Sequence, residues 1–335
     1  MKRRVGIVGF RGYSGAELVH LLAKHSQVEP HLLEHRQDAE HRPEPLNHIG
    51  PKRTAADPAS TAAAGIEVVF LATPPEVSME LAPAYLDRGI KVVDLSGAFR
   101  LRTQENYRRW YKEDHTAAHL FDEAIYGLPE YCRDRLPGAR LVSNPGCYPT
   151  AANLAIRPLV EADLIDRSAG VICDAKSGVS GAGRKPSLKT SFCEVTENFS
   201  AYSILDHRHV PEVLQVSGLE EKEFSFTAQL IPIDRGILET IYVRTVPGTG
   251  PERLLEAYQS RYANEPFVRL YKPGQVPDLR AVQRTNYCDI GFKLDAASGI
   301  AVIVSVIDNL VKGAAGQAIQ NMNLALGFPE TEALL

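Results

Sequence analysis

The sequence has no long apolar run, few cysteines and no large excess of charge of one sign. Its apolar stretches are shorter than the roughly 18 to 20 residues that a membrane-spanning helix needs. The start MKRRVGIVGF passes from charged residues directly into a strand pattern, without the apolar stretch of a signal peptide. The 37 Lys and Arg residues against 41 Asp and Glu residues give a net charge of −4, with no basic stripe for a nucleic-acid backbone. We therefore expect a cytoplasmic protein that binds a small molecule, and neither nucleic acid nor membrane.

The cysteines are five in number and widely spaced, and none forms a CxxC pair. An odd, scattered set in a long chain fits a reducing compartment rather than a disulfide framework. Apart from the pair His207 and His209, no third metal ligand recurs at the spacing of a metal site, so no metal is predicted. Most of these cysteines are interpreted as small buried apolar residues.

Strand and helix patterns alternate over roughly the first 150 residues. The segments VGIVGF, EVVFLAT, KVVDLSGAF and ARLVSNPG are typical of buried strands, and AELVHLLAKH and PEVSMELAPAYLDRG of helices. This alternation predicts an α/β fold with a doubly wound parallel sheet. The polar stretch from residue 37 to residue 58 is interpreted as a long surface loop.

Beyond about residue 165, strand patterns follow one another with little helix between them. The segments GVICDAKSG, FSFTAQLIPI, GILETIYVRTV, CDIGFKLDA and GIAVIVSVID predict a mixed or antiparallel sheet in a second, α+β domain. A chain of 335 residues is long enough for two domains. Helical spacing returns from residue 310, where Gly313 and Gly316 would permit close packing or a close ligand.

A glycine-rich turn lies between the first strand and the first helix. Gly9, Gly12 and Gly15 have the spacing GxxGxxG, and glycines at such a turn let a pyrophosphate approach the N-terminus of the helix. The position predicts dinucleotide binding. The alternative is that Ser14 and Glu17 only form a capping box.

The end of the second strand gives conflicting signals on the cofactor. Glu34 is typical of a residue that binds the ribose 2′-hydroxyl of NAD, whereas His35 and Arg36 could hold the 2′-phosphate of NADP. We favour NADP, partly because of the family resemblance described below. The alternative for Arg36 is an exposed position in a loop.

Cys147 is the candidate nucleophile. It lies in SNPGCYPT, between a predicted strand and an apolar helical segment, and Pro149 suits the first turn of a helix. Cys147 should therefore lie at or just before a helix N-terminus, where the helix dipole lowers a thiol pKa and amide groups can hold an oxyanion.

Two histidines, His207 and His209, could assist proton transfer to and from that thiol. Either could be the base, and the alternative is a pair of surface residues. The Gly- and Ser-rich cationic loop over residues 174–185 suits an anionic substrate or a phosphate, and its alternative is a mobile connection.

The motifs GFRGYSGAEL, DLSGAFRL, YGLPE, SNPGCYPTAA, DAKSGVSGAGR, ENFSAY, HRHVPE, RGIL and DNLVKGAAGQAIQNMN occur in this order. Together they resemble the N-acetyl-gamma-glutamyl-phosphate reductase family, which is related to aspartate-semialdehyde dehydrogenase. The resemblance implies a Rossmann-like domain of residues 1–146 plus 309–335, completed by the C-terminal helix. It also implies a catalytic and oligomerisation domain of residues 147–308, a homo-oligomer (dimer or tetramer) and NADP(H) as cofactor. One departure is LLEHRQDAEHRPEPL, where the family has a short Ser/Thr-Arg-Ser segment after the second strand.

The motifs and the resemblance together define three sets of candidate site residues. The catalytic residues are Cys147, His209 and His207. The cofactor-binding residues are Gly9, Arg11, Gly12, Tyr13, Ser14, Gly15, Arg36, Thr73, Pro74, Ser96, Ser177, Gly178 and Asn309. The substrate-binding residues are Asn144, Ser180, Gly181, Arg184 and Glu212.

The reaction that the resemblance implies is the NADPH-dependent reduction of N-acetyl-L-glutamyl 5-phosphate to the 5-semialdehyde, through a thioacyl intermediate, in arginine biosynthesis. A relative acting on aspartyl phosphate or on a carrier-linked aminoadipyl phosphate would need the same cysteine and cofactor turn. A dinucleotide-binding redox sensor without turnover is the alternative of another class.

Overall fold

The computed structural model describes residues 2–35 and 50–335, and these divide into two compact units. The first unit comprises Met1–Pro145 and Ala314–Leu335, and the second comprises Gly146–Gly313. The chain thus crosses between the units after Pro145 and after Gly313. The sequence placed these crossings after residues 146 and 308.

The first unit is built on a sheet of seven parallel strands. Its strands are β1 (Arg3–Val8), β2 (Val28–Glu34), β3 (Lys52–Ala55), β4 (Ile66–Leu71), β5 (Lys91–Asp94), β6 (Ile125–Tyr126) and β7 (Leu141–Ser143). Its helices, apart from a C-terminal one, are α1 (Tyr13–Leu22), α2 (Pro58–Ala63), α3 (Pro75–Leu86), α4 (Gln104–Tyr111) and α5 (Pro129–Cys132). The strand order β3-β2-β1-β4-β5-β7-β6 confirms the predicted doubly wound fold.

The core of this unit follows from the apolar patterns. Leu18, Leu21 and Leu22 form one buried face of α1, as helical spacing requires. Strands β1 and β4 are buried over most of their length, which is why they read as continuous apolar runs. The C-terminal helix, Gly316–Leu326, packs on α1 and β5 and completes the unit, as predicted.

One sequence interpretation was wrong. Part of the supposed loop over residues 37–58 is β3, which pairs in parallel with β2 so that His31 lies opposite Lys52. Strand β3 is polar and largely exposed because it is an edge strand. Without a buried face, it shows no alternation of apolar and polar residues. Helix α2 follows, and the Asp57 side chain caps it through the amide of Ser60.

The second unit contains the predicted mixed sheet, also of seven strands. Its strands are β8 (Val171–Gly178), β9 (Ser200–Tyr202), β10 (Phe224–Ile231), β11 (Ile237–Arg244), β12 (Val268–Leu270), β13 (Cys288–Asp295) and β14 (Ile300–Ile307). Its helices are α6 (Cys147–Glu161), α7 (Phe192–Val195), α8 (Val210–Ser217) and α9 (Pro251–Tyr262), so that the C-terminal helix is α10. The order is β12-β13-β14-β11-β8-β10-β9, with β12 parallel to β13, β8 parallel to β10 and the other pairs antiparallel.

Helix α6 lies on this sheet and is fixed from several sides. It packs against β11, β14, α8 and α9. The hydroxyls of Tyr258 and Tyr262 on α9 donate to the carbonyls of Ala155 and Leu154, each at 2.7 Å. The middle of α6 is therefore bound to α9 as well as packed on the sheet. Among residues 2–35 and 50–335, no helix combines the length and apolarity that crossing a membrane requires.

Candidate active site

Several predicted binding residues of the first unit follow directly after neighbouring parallel strands. Gly9 follows β1, Thr73 and Pro74 follow β4, Ser96 follows β5, and Asn144 follows β7. Because these strands are parallel and adjacent, their carboxyl ends lie at one edge of the sheet. In open α/β sheets, ligands bind at this edge, where the strand order reverses. Here the reversal lies between β1 and β4.

The glycine turn is shaped by backbone contacts. Gly9 has a φ of 77°, and the amide of Gly12 donates to its carbonyl at 3.0 Å. A Cβ on Gly9 would collide with the carbonyl of Ala72, and one on Gly15 with the carbonyl of Gly9. Gly12 caps α1 without any side-chain hydrogen bond, so the capping-box alternative is wrong. The loop is tight, and no capping side chain occupies the amide groups at the start of α1. The residues therefore fit a pyrophosphate, which backbone amide groups at a helix start can bind.

The other edge residues have hydrogen-bond partners within the first unit. The Ser96 hydroxyl donates to Asp94 at 2.8 Å. Asn144 is buried, and its Nδ2 donates to the carbonyl of Ala314 at 3.1 Å. The exposed Tyr13 and the partly exposed Ser14 open helix α1, beside Arg11. The predicted Arg36 lies outside the described residues.

In the second unit, Cys147 is the first residue of α6, as the sequence predicted. Its side chain is partly exposed, and Gly146 caps the helix with no side-chain hydrogen bond. Gly313 lies against it: an added Cβ there would come 2.8 Å from the Cβ of Cys147, which accounts for the close packing expected at that glycine. The positive end of a helix stabilises a thiolate and an oxyanion. Cys147 thus lies where the helix would stabilise a thiolate.

Glu212 links the start of α6 to the histidine segment. It is fully buried, and its Oε2 accepts a hydrogen bond of 2.9 Å from the amide of Gly146. Its Oε1 lies 3.9 Å from Nε2 of His209. The His209 ring packs so closely on Gly146 that an added Cβ there would lie 2.7 Å from Nε2. One carboxyl group therefore lies beside the imidazole and binds the residue before Cys147.

His207 has a different environment. Its Nδ1 accepts a hydrogen bond of 3.1 Å from the backbone amide of His209, and its ring packs edge-on against Tyr148 and Tyr202 at 5.4 and 5.6 Å. Burial, with a smaller contribution from the Arg208 cation, lowers the pKa of His207 to about 4. Near neutrality His207 is uncharged, and its proton is on Nε2.

Two tyrosines lie beside these rings and form part of the wall of a cavity. Their hydroxyls, on Tyr148 and Tyr202, lie 3.1 Å apart, and that of Tyr148 donates to the carbonyl of Gln229 at 3.3 Å. Burial raises the pKa of Tyr202 to about 12 and raises that of Tyr148 still further. Both phenols therefore stay neutral at physiological pH. They add shape and hydrogen bonds to the wall without adding charge.

A cavity of about 670 Å³ opens beside these groups, within the size range of small-molecule sites. Five predicted residues line it: Cys147, Ser177, Gly181, His207 and His209. Other predicted residues of this unit do not: Gly178, Ser180, Arg184, Glu212 and Asn309. Lys189 and Arg208 bring positive charge to the lining, and Glu194 and Asp206 bring negative charge.

Asn309 shapes the loop that follows β8. Its Nδ2 donates to the Ser180 hydroxyl at 3.0 Å, and its Oδ1 accepts from the amide of Gly236 at 2.7 Å. Gly181 lies close to Ser177, where a Cβ would come 2.8 Å from the hydroxyl oxygen. These contacts hold Ser177 and Gly181 in the cavity wall.

Sequence reasoning missed Tyr202 and the linking contacts of Glu212. Tyr202 lies in the ENFSAY motif, and no local sequence pattern indicates its contact with Tyr148.

Among residues 2–35 and 50–335, no group of three or more His, Cys, Asp or Glu side chains is arranged to hold a metal ion.

Two family models match the chain, one for each unit. The model described as semialdehyde dehydrogenase, NAD binding domain, matches residues 4–139. The model described as semialdehyde dehydrogenase, dimerisation domain, matches residues 147–309. The fold and the site thus define a nicotinamide-dinucleotide-dependent enzyme of the semialdehyde dehydrogenase class.

Relatives of known name cover the whole chain. N-acetyl-gamma-glutamyl-phosphate reductase of Symbiobacterium thermophilum is 47% identical over 100% of this chain and 98% of its own. The enzymes of the same name from Geobacillus thermodenitrificans and Nitrosomonas europaea are 46% and 43% identical, over 99% and 98% of this chain and 98% and 97% of their own. The chain belongs to the N-acetyl-gamma-glutamyl-phosphate reductase family.

Solved structures with the same fold are more distant in sequence. Aspartate semialdehyde dehydrogenase II of Vibrio cholerae has a TM-score of 0.71 and 17% identity, covering 97% of this chain and 98% of that one. The Francisella tularensis aspartate semialdehyde dehydrogenase has a TM-score of 0.68 and 14% identity, covering 96% and 99%. This similarity confirms the two-domain fold.

Proposed function

We propose that this chain reduces N-acetyl-L-glutamyl 5-phosphate to N-acetyl-L-glutamate 5-semialdehyde and phosphate with NADPH, in arginine biosynthesis. The observation that carries the proposal is Cys147 at the start of α6, beside a His209 ring that Glu212 adjoins. The names of the full-length relatives supply the substrate. A thiol suits this substrate because phosphate is a good leaving group and a thioester is reducible.

In the proposed reaction, Cys147 first forms a covalent bond to the substrate. Its sulfur attacks C5 of the acyl phosphate as the thiol proton passes to an imidazole. The C–O bond to phosphate then breaks, phosphate leaves, and a thioester remains on the sulfur. Amide groups in the first turn of α6 stabilise the oxyanion that forms during this exchange.

We assign the acid/base role to His209 and a positioning role to His207. His209 packs on Gly146, next to the nucleophile, and has a carboxyl group 3.9 Å away to stabilise its protonated form. His207 is the poorer proton acceptor, because its Nδ1 already accepts a hydrogen bond and its pKa is about 4. His209 would thus accept the thiol proton when the C–S bond forms, and return it to the sulfur when, after hydride transfer, the C–S bond breaks and the semialdehyde leaves.

The glycine turn supports binding of the cofactor by the first unit. Gly9, Gly12 and Gly15 would hold the pyrophosphate at the start of α1. Bound NADPH supplies the hydride that reduces the thioester carbon. In the second unit, the nicotinamide contacts that we propose are Ser177, Gly178 and Asn309, in or beside the loop after β8. The first unit would thus bind NADP(H), and the second would carry the chemistry.

We also propose a homo-oligomer, either a dimer or a tetramer, formed through the second unit. The family model for this unit is described as a dimerisation domain. A short segment of the unit exposes five large apolar side chains, Leu188, Phe192, Phe199, Ile204 and Leu205. Such a group favours burial against another chain. Sedimentation should show an oligomer that Phe192→Ser weakens, and a monomeric wild-type protein would refute the assembly.

The cytoplasm is the compartment that we propose. None of the five cysteines forms a disulfide, and the catalytic sulfur must stay reduced. The same compartment would supply the reduced cofactor.

The reverse reaction tests the proposed function. N-acetylglutamate semialdehyde, phosphate and NADP should support turnover that requires phosphate and that Cys147→Ala abolishes. Cys193→Ala is the matched control, since Cys193 is an exposed cysteine of the same unit, and it should keep wild-type activity. Full activity of Cys147→Ala would refute the covalent step.

The substrate is tested by competition in the same assay. Faster turnover of aspartate semialdehyde or of a carrier-linked aminoadipate semialdehyde would show that N-acetylglutamate semialdehyde is not the preferred substrate. Absence of turnover with all three would instead favour a dinucleotide-binding redox sensor.

A further inference from the structure

Lys189 lies in the wall of the cavity that Cys147 also lines. It is the middle residue of a one-turn 3₁₀ helix, Leu188–Thr190, in the segment between β8 and β9. The hydroxyl groups of Ser187 and Thr190 lie 2.9 Å apart, and the Ser187 amide donates to the Thr190 hydroxyl at 3.2 Å. These contacts close the turn from which the Lys189 side chain extends.

The Lys189 ammonium group is available to a ligand. Among residues 2–35 and 50–335, its side chain makes no hydrogen bond or ion pair, and the residue is exposed. Lys176 of the same unit is different, because its ammonium group already lies 2.7 Å from a carboxylate oxygen of Asp174. An anion that enters the cavity can therefore pair with Lys189 without displacing a partner in the described chain.

The cavity lining has a second cation, Arg208, in a different place. Burial is the main cause of the low pKa of His207, and the Arg208 cation adds to it, so Arg208 lies within electrostatic range of that imidazole. The lining also includes the carboxyl groups of Glu194 and Asp206, which offset the two cations. An anion would therefore bind by its position beside one cation, and not by the net charge of the cavity.

The proposed substrate carries two anionic groups, which match the two cations in number. Its phosphate is on C5, the carbon that the Cys147 sulfur attacks, so Arg208 beside the histidine segment suits the phosphate. The α-carboxylate is at the other end of a five-carbon chain. A sphere with the volume of the cavity is about 11 Å across, a width that this chain and an extended lysine side chain together can span. Lys189 is the lining cation that remains for the α-carboxylate.

We propose that Lys189 binds the α-carboxylate of the substrate and thereby selects an N-acylated amino acid over the same chain without a carboxylate. The proposal rests on the proposed function and deepens it by naming a residue that determines specificity. An ammonium group is a compact charge that can bind one carboxylate on a flexible side chain. Because Lys189 would contact the substrate away from C5, it should contribute to affinity and not to the chemical step.

Binding of two carboxylic acids tests the proposal without any turnover. N-acetyl-L-glutamate and 4-acetamidobutanoate differ only in the α-carboxylate, and calorimetry on the full chain gives both dissociation constants. Lys189→Met should weaken binding of N-acetyl-L-glutamate about 10-fold or more, as expected for the loss of a charge-assisted contact. Binding of 4-acetamidobutanoate should change by less than about 2-fold, because that acid has no group for Lys189 to bind.

The matched control is Lys185→Met, four positions earlier in the same segment, at an exposed lysine outside the cavity lining. It removes the same charge and should leave both constants within about 2-fold of wild type. Lys189→Arg keeps the charge and should retain most of the preference for N-acetyl-L-glutamate. Urea unfolding of the three variants checks that the chain still folds.

Kinetics in the reverse direction gives a second readout. Lys189→Met should raise the KM for N-acetylglutamate semialdehyde about 10-fold, while kcat and the cofactor KM change by less than about 2-fold. A merely structural role would lower kcat or the free energy of unfolding as well.

Three results would overturn the assignment. The first is an equal effect of Lys189→Met on both acids, the second is no effect on either, and the third is a wild-type protein that binds the two acids equally. If the wild type prefers N-acetyl-L-glutamate and Lys189→Met keeps that preference, only the role of Lys189 fails. If the preference depends on Lys189 but the wild type does not turn over the semialdehyde, the proposed function fails and the carboxylate site stands.

Discussion

Helices α1 and α6 begin in the same way but have different surroundings. Gly12 caps α1 and Gly146 caps α6, and neither cap makes a side-chain hydrogen bond. The first turn of each helix also has no acidic residue. A capping side chain would occupy the amide groups at a helix start. In both helices, the positive end is therefore left for an anion that is not part of the cap.

The difference lies in the groups around each helix start. At α1 the turn is shaped by backbone, with Gly9 in a left-handed conformation. At α6 the first residue is Cys147, and His209 and Glu212 adjoin its cap. Backbone amides alone suit an anion that keeps its charge, such as a pyrophosphate. A thiol and an imidazole suit charges that appear and disappear during a reaction.

The largest expected effect comes from removing the imidazole at α6. His209→Asn should lower kcat about 1,000-fold, because the thiol and substrate lose their proton carrier. The affinity for the nicotinamide dinucleotide should stay within about 2-fold of wild type, since the α1 turn is unchanged. Steady-state kinetics and calorimetry measure the two quantities.

The matched control is His119→Asn, at an exposed histidine of the first unit. It should keep wild-type kcat. A loss at His207→Asn as large as the loss at His209→Asn would contradict the assignment of roles to the two histidines.

Adding one methyl group beside each helix start is a second way to distinguish the two helices. In Gly313→Ala, the new Cβ would lie 2.8 Å from the Cβ of Cys147, and displacing the nucleophile should lower kcat about 100-fold. In Gly15→Ala, the new Cβ would collide with the carbonyl of Gly9, so the cofactor KM should rise while kcat at saturation changes little. Thermal unfolding first checks that both variants fold, and kinetics with varied cofactor then gives kcat and the cofactor KM of each. If both variants changed the same one of these two parameters, the comparison of the two helix starts would be contradicted.

Much of the fold was predictable because burial leaves a regular pattern. Leu18, Leu21 and Leu22 recur at helical spacing and are all buried on α1. Strands β1, β4 and β14 are nearly continuous apolar runs. Strand β3 left no such pattern, because its polar residues lie at the edge of the sheet and it is specified by backbone pairing with β2.

The site was predictable where one short segment carries the information. Pro149 and the two glycine-bounded turns were enough to predict that Cys147 and the cofactor turn lie at helix starts. The contact between Glu212 and Gly146 joins residues 66 positions apart, and the one between Tyr148 and Tyr202 joins residues 54 apart. Such pairs depend on how the elements pack, so no local pattern could indicate them.

A smaller effect should come from neutralising the carboxyl group at α6. Glu212→Gln can keep a hydrogen bond to the Gly146 amide but loses the charge near His209. We expect kcat to fall about 10-fold while the cofactor KM changes little, because the carboxylate beside the catalytic imidazole is lost. The control Glu194→Gln, at an exposed carboxyl group in the cavity lining, should keep wild-type kcat. An unchanged kcat in Glu212→Gln would contradict a role for this carboxyl group beside His209.

The last prediction concerns stability rather than rate, and it uses the buried ring of His207, which packs against Tyr148 at the start of α6. The folded pKa of His207 is about 4, below the usual 6.5, because of burial. As pH falls from 6.5 to 4, the unfolded chain binds a proton that the folded chain does not, so the free energy of unfolding falls, by up to about 3 kcal/mol. His207→Asn should remove that loss, giving a flatter curve in urea unfolding across this range, while the exposed His119→Asn should follow wild type. Parallel curves for His207→Asn and wild type would show that the ring is not held neutral by its surroundings.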